Sequence, residues 1–219
     1  MQLTSNARKQ VAARWPALVA SLATGVLFYV LPEYLTVGPG WLVFVIVAAL
    51  MIPTSLSHRV GRVDLNQIFA YTTLAVITLA VLSSLVLLVM RLPGHKDPPV
   101  QLLTSAAALW VANLLVFASW YWRLDGGGPN ERDKRGVHTD GAFLFPQMMM
   151  DPERRREMGE DTWSPGFVDY LFLAFNTSTA FSPTDVPVLS RWAKAMMMVQ
   201  SLISLATIAL LAARAVNIL

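Results

Sequence analysis

From Gln67 to Met90 the chain runs 24 residues without a charged side chain, and from Val100 to Trp122 it does so again for 23. About 20 apolar residues of helix cross the ~30 Å hydrocarbon core of a bilayer, so these two stretches constrain the fold more than any motif does. Backbone N–H and C=O groups meet no water in lipid and must pair within the segment. The fold expected is therefore all-α, a polytopic integral membrane helical bundle. Composition agrees, with 55% of 219 residues apolar and 14% charged, against roughly a quarter charged in an average soluble domain.

Two shorter apolar runs come first, Trp15 to Pro32 and Trp41 to Ser57, bounded by Pro and Gly, with Pro53 predicting a kink in the second. Residues 1–122 thus read as a four-helix transmembrane region. Arg8, Lys9 and Arg14 ahead of the first run imitate a secretory signal, but no small-x-small cleavage site follows, so the run is expected to stay as a span. Residues 123–165 carry most of the charge and read as an extramembrane loop, a solvated linker. Its apolar centre, FLFPQMMM, is expected on the membrane surface or under the bundle. Residues 166–219 hold a short piece, Gly166 to Ser182 between two prolines, and a long apolar helix from Ala195 onward. That makes five long spans plus one short polar span or re-entrant segment.

Several functions are excluded early. The net charge of +3 comes without a basic stripe, so nucleic acid is not expected as a partner. There is no cysteine for a disulfide or thiolate site. His58, His95 and His138 sit in separate connectors without His-x-x-x-His spacing, and no GxSxG occurs. The glycines at 126–128 lack phosphate-loop spacing, and the loop's acids lack the alternation of a calcium loop. An enzyme, a metal site and a cofactor are therefore not expected. No span before Trp122 has a charged interior residue, which also lowers an ion-coupled transporter.

The short piece carries the signal. Its 17 residues reach about 26 Å as helix, the bottom of the spanning range, and Asn176, Thr177, Ser178 and Thr179 are polar in succession. Polar or irregular backbone at membrane depth is tolerated only where protein or a water-filled cavity surrounds it. The run Thr177-Ser178-Thr179-Ala180-Phe181-Ser182-Pro183-Thr184-Asp185 leads to Val186-Pro187, then Arg191, then a helix ending Ala213-Arg214. With that frame, Asp169 to Leu219 resembles the pore helix, filter and inner helix of the two-transmembrane potassium-channel family, whose filter reads T-x-T-T-V-G-Y-G-D.

The resemblance implies a homo-oligomer, four-fold for a channel axis, that passes monovalent ions. It implies a pore or cavity lined by Asn176, Thr177, Ser178, Thr179, Phe181, Ser182, Thr184 and Asp185. The sequence departs from the family at the filter glycines, replaced here by Ser182 and Thr184. Left-handed dihedrals at those sites exclude a working potassium filter, so a weakly selective or non-conducting relative is expected. FSPTD with the ARAVNIL end is also similar to bacterial membrane proteins without an assigned activity, which implies the inner (cytoplasmic) membrane. The residues alone leave a non-transporting membrane subunit or scaffold open, since hydroxyls and Asn176 can serve as glue between helices. The spacing of Ala17, Ser21 and Gly25, and of Ala209 and Ala213, suits close helix approach.

Cytoplasmic connectors are enriched in Lys and Arg. Six crossings with both termini inside put 13 of the 17 basic residues in the cytoplasm; a potassium-channel hairpin with its inner helix ending inside leaves three. The charge rule therefore favours six crossings, with Gly166 to Ser182 as a thin fifth span.

Overall fold

The computed structural model describes residues 14–60, 62–91, 98–135, 138, 140–160, 163–182 and 185–216. Among the described residues eight α-helices form in chain order: α1 (Trp15–Val30), α2 (Trp41–Arg59), α3 (Val63–Arg91), α4 (Pro99–Leu124), α5 (Pro129–Arg135), α6 (Pro152–Glu157), α7 (Phe167–Thr179) and α8 (Arg191–Val216). Among the described residues there is no strand, only one isolated antiparallel bridge between Phe143 and Val188. Three helices among the described residues, α3, α4 and α8, are long and apolar enough to cross a membrane, while α1 and α2 are shorter apolar helices. α2 continues through Pro53.

α4 is the centre of the bundle and packs against α1, α3, α7 and α8. Its most apolar stretch is 61% buried inside the protein, against 33% for α3 and 28% for α8. Large apolar side chains on the outer helices, such as Val26, Ile52, Leu79, Val86 and Leu202, are left exposed, a surface that only lipid or another subunit covers favourably. Gly25 lets α1 and α2 approach closely: a Cβ there would lie 3.2 Å from the Phe44 Cα. Gly25 of the first small-residue spacing is thus used within the chain, whereas Ala209 and Ala213 are exposed.

Polar contacts fix which helix ends share a face. Arg14, before α1, pairs with Asp133 of α5 at 2.8 Å. Arg123, at the end of α4, donates to the Asn66 Oδ1 near the start of α3 at 3.1 Å. At the opposite end Arg91 lies 4.6 Å from the Tyr34 ring centroid. The first four helices therefore run up and down, and the 123–165 region lies at the end where α1 begins.

The described residues from Asp125 to Phe145 form a packed cap, whereas those of 151–159 other than Arg155 are exposed, as a solvated linker would be. Gly126, Gly127 and Gly128 all have positive φ and turn the chain under the end of α4. A Cβ on Gly128 would sit 2.8 Å from the Arg123 carbonyl oxygen, which no other residue could relieve without shifting backbone. The turn buries Asp125, Arg132 and His138. Of the two expectations for FLFPQMMM, its aromatic half packs under the bundle: Phe143 meets Tyr121, Tyr170 and Trp192, and Phe145 meets Trp163 and Tyr170. Met149 stays exposed.

Candidate functional site

α7 is built to bury one face. Phe167, Tyr170, Leu173, Ala174, Thr177 and Ser178 recur at helical spacing and are buried, whereas Val168, Phe172, Phe175 and Thr179 point outward. At its start the Gly166 N–H donates to the Asp169 Oδ2 at 2.7 Å, so Asp169 is a cap. One turn on, the Tyr170 hydroxyl donates to the Asp125 Oδ2 at 2.6 Å, while the other carboxylate oxygen accepts the Ala142 N–H at 2.5 Å. The His138 Nε2 stands 3.4 Å from the same carboxylate, and Arg132 donates to the carbonyl oxygens of Trp122 and Asp125. This buried knot ties the cap to the start of α7.

The far end of α7 does not reach the opposite face. Thirteen residues rise about 20 Å, whereas the 26 residues of α8 rise about 39 Å. The last turn of α7 lies beside Gln200, nine residues into α8. The Gln200 Nε2 donates to the Ala174 carbonyl and to the Ser178 Oγ, each at 2.8 Å, and its Oε1 accepts the Tyr121 hydroxyl of α4 at 2.5 Å. The Ser201 Oγ donates to the Thr177 carbonyl at 3.3 Å. Asn113, also in α4, donates to the Ser204 Oγ at 2.8 Å. Three groups from α4 and α7 thus converge on the one buried amide of α8, and removing the amide would leave them unpaired in a low-dielectric interior.

After α7 the chain turns back. The Ala180 N–H closes on the Asn176 carbonyl at 2.8 Å, and Phe181 then takes φ +54°, the left-handed position that ends many helices. By Pro187 the chain is again beside the cap: the Leu144 N–H donates to the Pro187 carbonyl at 2.9 Å, and the Leu189 N–H to the Ala142 carbonyl at 2.7 Å. Trp192, opening α8, stacks edge-on against Phe143. Residues 167–182 therefore leave the capped end of the bundle and residues 185–190 rejoin it, an arrangement that favours the re-entrant alternative over a sixth crossing. Charge counting alone could not register that residues 142–144 capture residues 187–189.

The sequence-assigned lining residues separate into two groups. Thr177 and Ser178 are buried and face α4 and α8, and Thr177 hydrogen-bonds the Leu173 carbonyl. Asn176 is half-buried. Thr179, Phe181, Ser182 and Asp185 are exposed on the outside of the hairpin; Thr184 lies outside the described residues. Gln200, Asn113, Tyr121 and Asp125 were not singled out by the sequence. The first two are amides within uncharged stretches of α8 and α4, a signal that screening for charge alone passes over.

Phe181 stores strain, since a bulky side chain in the left-handed region is disfavoured by about 1–2 kcal/mol. Phe181→Gly is expected to raise the melting temperature in detergent by about 2–4 °C, and Phe181→Val to lower it, because β-branching worsens the same clash. A melting curve of each variant decides it.

Among the described residues no three His, Asp or Glu side chains converge as metal ligands. No family model, curated protein or solved structure matches the chain.

Proposed function

We propose that this chain is a channel-like membrane protein whose hairpin, residues 167–190, lines a weakly selective polar path in a homo-oligomer of the bacterial inner membrane. The observation that carries the reading is the half-depth helix clamped by Gln200 and followed by a return to the same face. Irregular backbone at that depth needs protein or water around it, and Thr179, Ser182 and Asp185 stand on its open side. The membrane is crossed five times, by α1 to α4 and α8. Such a topology puts Arg91, Lys96 and Arg214 on one face and the other 14 of 17 basic residues on the face the hairpin enters. By the charge rule that face is cytoplasmic, so the hairpin dips in from the inside.

In planar bilayers the expected result is a current that discriminates poorly between potassium and sodium, reduced or altered in selectivity by Asp185→Asn and Thr179→Val. A strongly potassium-selective current would contradict the reading of Ser182. A second reading, a non-transporting membrane subunit, draws support from Thr177 and Ser178, whose hydroxyls are spent on internal bonds. It predicts no current from folded, reconstituted protein, and loss of assembly instead of altered current in hairpin variants.

A further inference from the structure

Between the returning limb of the hairpin and α8 lies an open cleft of about 590 Å³. Phe181 and Val188 form one wall and Met198, Leu202 and Leu205 the other, with Lys194 also lining it. Eleven residues of α8 separate Lys194 from Leu205, about 16 Å of rise, and half of a ~30 Å hydrocarbon core is about 15 Å. The cleft is one leaflet deep. Its charged end lies at the capped face, where Trp192, two residues earlier, is partly exposed at the level aromatic residues take beside headgroups. No carboxylate among the described residues pairs with Lys194, and Arg191 on the same turn is exposed as well.

The geometry points to a site for one anionic phospholipid, its acyl chain laid along Met198, Leu202 and Leu205 and its phosphate held by Lys194. A single acyl chain matches a groove lined chiefly by apolar side chains, with the hydroxyls of Thr177, Ser182 and Ser201 among them and Lys194 as its cation. A second copy of the chain would have to bring apolar surface to the depth and an acid to the mouth. The site belongs to one chain, and Thr177 and Ser182 of the hairpin line it as well. Only its assignment to the cytoplasmic leaflet, where anionic lipids meet juxtamembrane basic groups, rests on the orientation proposed above.

The test is native mass spectrometry of the full-length protein with phosphatidylglycerol or phosphatidylcholine of matched acyl chains. Wild type is expected to retain one phosphatidylglycerol per chain, about fivefold or more in preference to phosphatidylcholine, the factor one juxtamembrane cation supplies. Lys194→Gln should bring the two lipids to near parity, Lys194→Arg should keep the preference, and Leu202→Trp, which fills the groove, should lose both. Equal retention by wild type, or a preference that survives Lys194→Gln, overturns the site. So does efficient disulfide formation between chains carrying Leu202→Cys, which would seat a second copy in the cleft.

Discussion

Cysteines introduced at Glu153 and Leu189 are expected to resist an impermeant maleimide in intact cells and to react once the membrane is opened, while Val37→Cys reacts from outside. All three positions are exposed in the fold, and the chain has no native cysteine, so each label reports one site. The pattern follows from two observations that act together. The bridge between Phe143 and Val188 puts positions 153 and 189 on one side of the membrane whatever the orientation. The excess of basic residues then selects that side as cytoplasmic. Six crossings would make Leu189→Cys react from outside and leave Glu153→Cys protected. A hairpin entering from outside, as in potassium channels, would make both react and protect Val37→Cys. Three topologies thus give three distinct patterns.

Gln200→Leu is expected to be the most damaging single change to the hairpin. It removes one amide and leaves the Tyr121 hydroxyl, the Ser178 hydroxyl and the Ala174 carbonyl without their partner. Interhelical hydrogen bonds in membranes contribute about 0.6–2 kcal/mol each, and stranded partners add desolvation cost, so a loss of about 2–4 kcal/mol is expected. For a chain of this size that lowers the melting temperature in detergent by about 5–10 °C. Ser178→Ala removes one arm and should lose about 1 kcal/mol. Because both changes act on one network, the double variant should lose less than the sum, and strict additivity would refute the clamp. Any current should vanish in Gln200→Leu, since a hairpin no longer held at half depth cannot present Thr179 and Ser182 to a path.

The sequence by itself determined the helices and that the longest are apolar enough to cross a membrane. Long runs without charge can only be helices in lipid, and the run ends set boundaries that the structure moves by four residues or fewer for the first four. It also singled out residues 176–185, because four polar residues in succession are conspicuous in an apolar piece.

Only the tertiary structure decided whether that piece crosses or turns back. Seventeen residues are compatible with either outcome by length, and the choice is made by groups distant in sequence: Gln200 against Ser178, Phe143 against Val188, Tyr170 against Asp125. The charged region likewise reads as solvent-facing by composition, yet three left-handed glycines fold it under α4 and bury Asp125, Arg132 and His138 among aromatic rings. Composition records how many charges a segment has. Which of them are desolvated depends on backbone turns and long-range pairs, and those exist only once the helices have packed.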